Sequence, residues 1–539
     1  MPTPVLRSGH AATAIARLEE RPLDVLVIGG GIVGAGVVRD AAMRGLRAGL
    51  VEQNDFASGT SSRSSRLLHG GIRYLAQGRV GLVREASKEK SVLRRIAPHL
   101  SDPLQFIFPT RKAGGWPRWK LAVGVRIYDW LCGLGKGGGS GSMGVRETLK
   151  RVPGLTDNQL TGAVRYYDAL TNDARLVIDT LRSAAKHGGI VANYVRLADA
   201  TQANGLWRCQ LEDTQTGQSF SITAKAVVNA TGPWSDRLPH SKTSLRLTKG
   251  VHLVIDRRRL PMDDALVLAE GDRILFAIPW GDRLILGTTD TDYQGPLENP
   301  PCDDADVAYI LKVVNDAFPA ARLTPADVVS TWSGLRPLVA DPNGNPSDIS
   351  RRHKVAMSQP GWWDITGGKL TTYRLMAEEA VDHIVKEFGL KAAPCRTATT
   401  PLLTVGGVAN AVSPIVGGVS DADPAASGIL PPPVTAAAVA HYCRDEWARR
   451  LDDVMIRRTS WRHYHHNQYE LAVHVAQWMA KELHWSDAQR ETELRNYRKL
   501  VGVADVPAPH IQHGHSTNGH VQHVSSQIHA DRQPIADSR

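Results

Sequence analysis

Three glycines, Gly29, Gly31 and Gly34, stand in the spacing G-x-G-x-x-G, and an acid, Glu52, follows 18 residues after the last of them. That set can hold a dinucleotide. The first glycine makes a tight turn, the second lets backbone approach a pyrophosphate, and the third lets a helix pack closely on a strand. A helix opening at this loop adds free N–H groups and a positive dipole end for the pyrophosphate. The Glu52 carboxylate can accept from ribose hydroxyls. On these residues alone NAD and FAD both stay open.

The elements that must position them are legible. Leu23–Ile28 is a short apolar run rich in β-branched residues, which predicts a buried strand. Ile32–Arg44 reads as a helix and Arg47–Glu52 as a second strand, giving a βαβ start. Val227–Ala230 and Leu284–Leu286 read as further strands, and Glu378–Phe388 as a helix closed by Gly389. Two later segments favour FAD. Ala230-Thr231-Gly232 ends a strand where backbone can again meet a dinucleotide. Gly367-Gly368-Lys369-Leu370-Thr371 opens a helix, and a glycine pair at a helix N-terminus can aim N–H groups at the pyrimidine edge of a flavin.

A chain of 539 residues suggests two or three domains, and its formal charge of +10 favours acidic partners: a phosphorylated substrate, anionic lipid or nucleic acid. No nucleic-acid-binding motif is present, so no nucleic-acid partner is expected. Five cysteines lie far apart with no CxxC pair, which suits a reducing compartment and argues against a structural zinc site. No metal site is expected. Ala11–Leu18 is too short and too charged at its end for a signal peptide, so residues 1–22 read as a frayed arm. No run approaches the roughly 20 apolar residues of a membrane span.

The motifs taken together resemble the FAD-dependent glycerol-3-phosphate dehydrogenases of the amino-acid-oxidase-like flavoprotein superfamily. The resemblance rests on Ile28-Gly-Gly-Gly-Ile-Val-Gly-Ala-Gly36 and Thr60-Ser-Ser-Arg-Ser-Ser-Arg-Leu-Leu-His-Gly-Gly-Ile-Arg-Tyr74. It rests also on Asn229-Ala-Thr-Gly-Pro-Trp234, Gly287-Thr-Thr-Asp290, Ser333-Gly-Leu-Arg-Pro-Leu338 and Gly367-Gly-Lys-Leu-Thr-Thr-Tyr-Arg374. Glu446-Trp-Ala-Arg-Arg-Leu-Asp-Asp453 resembles the family's helical C-terminal domain. Val38 departs from the family's usual Ala, and the Cys395–Val434 segment is shorter in helical pattern than the family's.

The fold class so implied is α/β: a Rossmann-like FAD-binding domain interleaved with an α+β substrate domain, followed by a small helical C-terminal domain. The FAD and substrate parts would span 23–393, the substrate part mainly 100–165 and 245–350. A Pro-, Gly- and Ala-rich linker would run over 394–433, a helical domain over 434–505, and a disordered His-rich tail over 506–539. The resemblance implies that Thr60, Ser61, Ala230, Thr231, Gly232, Gly367, Gly368, Lys369, Leu370 and Thr371 join Gly29, Gly31, Gly34 and Glu52 in holding FAD.

It further implies oxidation of sn-glycerol 3-phosphate to dihydroxyacetone phosphate, with hydride to flavin N5 and electrons to a membrane quinone. An oxidase of an amine or 2-hydroxy acid using oxygen is the alternative. Arg336 and Arg73 suit a phosphate clamp, because a guanidinium forks onto phosphate oxygens. His69 and His252 are both candidate bases, and their residue types do not separate them. Tyr74 can orient substrate, Lys369 can place positive charge near the flavin ring, and Asp290 can brace the substrate loop.

Trp116, Trp119, Val123, Ile127, Trp130 and Leu134 recur at helical spacing, with Lys112, Arg118, Lys120 and Arg126 around them. An aromatic-apolar face with basic neighbours predicts docking on an anionic membrane surface. The protein is therefore expected in the cytoplasm, attached peripherally to the inner face of the cell membrane, with a homodimer left open. The six histidines of 510–529 read as a solvated tail.

Overall fold

The computed structural model describes residues 9–71, 80–112, 117–131, 139–270, 273–339, 353–403 and 428–502. The chain divides into a large compact unit through Tyr497 and a short one from Arg498, and both sheets belong to the large unit.

Two sheets carry the site. In the first, the parallel strands Leu23–Ile28, Ala48–Glu52, Ile190–Asn193, Ser219–Asn229 and Trp362–Thr366 lie side by side. Ile28 registers with both Val51 and Asn229, and Asn229 with Asp364. The strands therefore end together, and the loops after Ile28, Asn229 and Thr366 share one carboxyl edge. That edge is where ligands bind open parallel sheets. The strand predicted as Val227–Ala230 runs from Ser219, because its first half pairs antiparallel with Leu206–Asp213. The helix Ile32–Met43 is buried along nearly its whole length, which explains its apolar, small-residue sequence. The helix Tyr373–Phe388 starts five residues before the expected Glu378, through a short turn at Leu370–Thr372.

The second sheet is mixed and ten-stranded, built around the long strand Leu245–Asp256. Val328–Val339 pairs along one of its sides, Arg283–Gly287 and Thr291–Asp292 along the other. One face of this sheet looks toward the carboxyl edge of the first.

One expectation is corrected. The arm is a helix from Gly9 to Glu19, not a frayed segment, because Ile15 and Leu18 bury against the first sheet. The segment expected at a membrane is a helix over Arg118–Leu131. Leu121, Val125 and Tyr128 pack into the core, while Trp119, Val123 and Ile127 are 66%, 50% and 42% exposed. Trp116 and Leu134 lie outside the described residues, as does the side chain of Trp130. Residues 404–427 and the His-rich tail also lie outside them. No helix among the described residues is long and apolar enough to cross a membrane.

The C-terminal region holds the helices Ala436–Asp445, Trp461–Tyr464 and Gln468–Leu483, with a π-helical turn at Asp453–Arg458. Buried charge ties this region to the dinucleotide-type sheet. Asp55, three residues after Glu52, accepts from Arg457 Nε at 2.5 Å, from Arg458 Nη1 and Nη2 at 2.7 and 2.9 Å, and from Asn193 Nδ2 at 3.1 Å. Glu446 is gripped by both terminal nitrogens of Arg175, at 2.5 and 2.8 Å. Burial alone would raise the Asp55 pKa. Arg458 and Arg457 outweigh it and hold the carboxyl at about 2.

Removing one member of a buried ionic cluster leaves the others uncompensated. Asp55→Asn is expected to lower unfolding stability by about 3–5 kcal/mol, read as a fall in the denaturant midpoint. The native pKa of about 2 lies below the ordinary 3.8, so the unfolded state binds more protons in between. The Asp55 contribution is therefore present above pH ~4 and lost toward pH ~2, and the variant's stability should depend less on pH across that window.

Candidate functional site

A cleft opens between the carboxyl edge of the first sheet and the facing side of the second. Its lining includes Gly29, Gly31, Glu52, Thr60, Ser61, His69, Ala230, Thr231, Gly232, His252, Arg336, Gly367, Gly368, Lys369 and Leu370. The structure thus brings together most of the residues singled out by sequence. Arg73 and Tyr74 lie outside the described residues.

Gly34 and Thr371 do not line the cleft. A Cβ on Gly34 would sit 2.0 Å from the Gly29 carbonyl oxygen, so Gly34 lets the helix close on the loop. Gly29 has φ +109°, and a Cβ there would meet the Ala230 carbonyl oxygen at 2.7 Å. Thr371 was expected on the cofactor. It is buried behind the wall, where its hydroxyl bridges the backbone of His69, 3.2 Å from N and 3.3 Å from O. In the turn Leu370–Thr372, Leu370 faces the cleft while Thr371 and Thr372 are buried.

The cradle fits a flavin dinucleotide. A Cβ on Gly31 would meet only Ser61 Oγ within 4 Å, and one on Gly232 would meet nothing, so cleft space lies against both backbones. The N–H of Ile32, first residue of the helix, donates to Ser61 Oγ at 3.0 Å, so Ser61 stands at the helix N-terminus. Glu52 lines the cleft and also holds its loop. Its carboxylate accepts from Gly30 N at 2.7 Å and Asn54 N at 2.9 Å and so shapes the loop, while burial raises its pKa. The stretch Val195-Arg196-Leu197 extends the lining beyond Glu52. Sequence reasoning missed it, because nothing in its residue types announces a ligand.

Arg336 sits on the second sheet. Its Nη2 donates to Thr288 Oγ1 at 2.8 Å, and its Nη1 to the Thr289 carbonyl at 3.2 Å and Asp290 Oδ1 at 3.1 Å. The guanidinium lies over Gly250: a Cβ there would come within 2.3 Å of Nη2. Gly250 was not singled out, although a glycine inside a strand signals a close approach. The Gly-Thr-Thr-Asp loop expected to brace the site therefore does so by holding Arg336.

The two histidines, equivalent in sequence, differ in place. His252 is 1% exposed and its Nε2 is 2.8 Å from Ser65 Oγ. Burial, with Arg336 and Arg66 nearby, pushes its pKa down to about 3, so it is neutral at physiological pH. His69 is half-buried and faces the cleft. Lys369 opens the Leu370–Thr372 turn beside the glycine pair. Among the described residues no cluster could hold a metal ion.

Comparisons with known proteins place the chain in a family. The family described as FAD dependent oxidoreductase matches residues 24–381, and the C-terminal domain of alpha-glycerophosphate oxidase matches 375–490. The chain is 37% identical over 537 residues to glycerol-3-phosphate dehydrogenase 2 of Mycobacterium tuberculosis, covering 93% of this chain and 92% of that one. It is 39% identical over 409 residues to the aerobic glycerol-3-phosphate dehydrogenase of Bacillus subtilis, covering 74% of each. The glycerol-3-phosphate dehydrogenase of Bacillus halodurans, solved in complex with FAD, superposes with a TM-score of 0.71 at 28% identity, covering 93% of this chain and 99% of that chain.

Gly31 and Gly34 separate binding from folding. Gly31→Val puts a side chain into the cleft beside Ser61, and the variant should purify folded but without flavin colour. Gly34→Val collides with Gly29 backbone and should fail to fold. Full flavin content in folded Gly31→Val would remove this loop from the cofactor site.

Proposed function

Because the chain belongs to the FAD-dependent oxidoreductases, in the glycerol-3-phosphate dehydrogenase family with FAD as its cofactor, we propose a specific reaction for it. The C2 hydroxyl of sn-glycerol 3-phosphate is oxidised to give dihydroxyacetone phosphate, and the electrons pass to a membrane quinone. The observation that carries this reading is Arg336. It is a forked cation seated at Gly250 in the wall of the same cleft that holds the dinucleotide cradle.

FAD, when bound, supplies the hydride acceptor. Gly29, Gly31, Ser61 and Ala230–Gly232 would hold its dinucleotide, and Gly367–Leu370 would hold its ring end. The protein's own groups do the rest. Arg336 binds the phosphate dianion with charge-assisted bonds and fixes the substrate's register. Thr288 and the Thr289 carbonyl orient the fork, so little reorganisation accompanies binding. His69 takes the hydroxyl proton. It faces the cleft, and Thr371 fixes its backbone, whereas a proton on His252 would be opposed by burial and two guanidinium groups. Lys369 contributes positive charge at the ring end.

Quinone as acceptor draws support from the helix Arg118–Leu131. Trp119, Val123 and Ile127 form one exposed apolar stripe at i, i+4, i+8, flanked by Lys120 and Arg126. Such a stripe suits the interface of an anionic bilayer, and we assign it to docking on the inner face of the cell membrane. The match to an oxidase C-terminal domain supports oxygen as the second reading, and peroxide yield per turnover separates the two.

Arg336→Ala removes a cation opposite a buried dianion, which typically costs about 2–5 kcal/mol. At roughly tenfold per 1.4 kcal/mol, kcat/KM for glycerol 3-phosphate should fall at least tenfold and up to about a thousandfold. Arg336→Lys should be intermediate, since it keeps charge and loses the fork. Slow turnover of glycerol, which lacks the phosphate, should change little. Equal losses on both substrates would end the clamp assignment. Trp119→Glu with Ile127→Glu should abolish flotation with anionic liposomes while activity with a soluble dye persists. Retained flotation would remove the helix from the membrane.

A further inference from the structure

His252 is held on every side. It lies across the strands from Trp332 and Gly287, and its ring stacks on the Trp332 indole at 5.2 Å and 19°. Opposite, Gly287 leaves no slack: a Cβ there would lie 2.5 Å from His252 Cδ2. The indole N–H of Trp332 donates to the Ser64 carbonyl at 3.1 Å, so the segment bearing Ser65 is tied to the same strand pair.

A neutral imidazole carries one proton, and only one of its nitrogens has use for it. Nδ1 is buried with no hydrogen-bond partner among the described residues. A proton there would be an orphaned buried N–H, which is rarer and costlier than an under-used lone pair. The proton therefore sits on Nε2, which donates to Ser65 Oγ. A serine hydroxyl has one hydrogen. With its oxygen accepting from His252, that hydrogen points away from the ring. Ser65 lines the cleft, so the hydroxyl is an oriented donor into it.

The spacing sets what it meets. His252 and Gly250 are two residues apart on one strand and share a face, and Gly250 seats the Arg336 guanidinium. Two residues of strand span about 7 Å, roughly the length of a phosphorylated three-carbon chain. We infer that Ser65 donates a hydrogen bond to the C2 oxygen of the substrate while Arg336 holds its phosphate, His252 acting as the positioning residue that turns the hydroxyl. The inference rests on the reaction proposed above. The donor stabilises negative charge on the C2 oxygen as its proton leaves, and it pairs with the carbonyl of the product.

Calorimetry on the flavin-loaded enzyme separates the two ends of the site. In Ser65→Ala the Kd for dihydroxyacetone phosphate should rise about tenfold, the loss of roughly one hydrogen bond. The Kd for inorganic phosphate, which meets Arg336 alone, should stay within about twofold of wild type. Flavin content and Tm should match wild type, Ser65→Thr should recover most of the affinity, and the acid limb of the kcat/KM–pH profile should not move. Equal weakening of both ligands would put Ser65 on the phosphate, and no change in either would mean the hydroxyl faces elsewhere. A displaced acid limb would make Ser65 a proton relay to His252. Each of these three results overturns the inference. Failure of the wild-type enzyme to bind dihydroxyacetone phosphate or to oxidise glycerol 3-phosphate would instead overturn the reaction on which it rests.

Discussion

One buried carboxylate joins the parts of this protein that must act together. Asp55 stands three residues beyond Glu52, on the loop that shapes the dinucleotide cradle, and it neutralises Arg457 and Arg458 from the C-terminal helices. An unpaired guanidinium in that position would pay a large desolvation penalty. The helices therefore have one satisfactory seat, against the cofactor loop. Arg175 with Glu446 repeats the device a short way along, and the Phe56 ring meets Trp447 edge-on at 5.5 Å to close the apolar space between. Buried pairs of this kind add little net stability but penalise misdocking heavily, which suits a contact that must hold the cradle's geometry.

The substrate side follows the same logic at smaller scale. Arg336 is held by a hydroxyl, a carbonyl and a carboxylate before any phosphate arrives, and a glycine makes room for it. Burial, with the charge of Arg336 and that of Arg66, makes the neighbouring His252 a poor place for a proton, leaving a neutral ring. Place in the fold thus distinguishes two histidines of identical chemistry. The helix bearing the exposed apolar stripe also reaches this region from its buried face. The Tyr128 hydroxyl accepts from Gly70 N at 2.8 Å, next to His69. The exposed stripe and the Gly70 contact thus lie on one helix.

The sequence by itself determined the cofactor end. Glycine spacing, a β-branched strand and an acid at the end of the next strand are local requirements, because a tight turn and a helix N-terminus are made by neighbours in the chain. Ile28, Gly31 and Glu52 could be read for that reason, as could the glycine pair at Gly367–Gly368, and so could the basic, aromatic pattern around Trp119. Only the tertiary structure decided the rest. That Thr371 braces the backbone of His69 depends on its burial behind the cleft wall. That His252 is neutral depends on its burial and then on Arg336 and Arg66, which are near it in space and far from it in the chain. Gly250 and Ser65 gained meaning only when a guanidinium and an imidazole were found against them. That the helix around Trp119 also packs Leu121, Val125 and Tyr128 into the core was decided by the elements it lies on. Such features arise from contacts between residues far apart in the chain, where burial and charge add up across elements, and no local spacing encodes that sum.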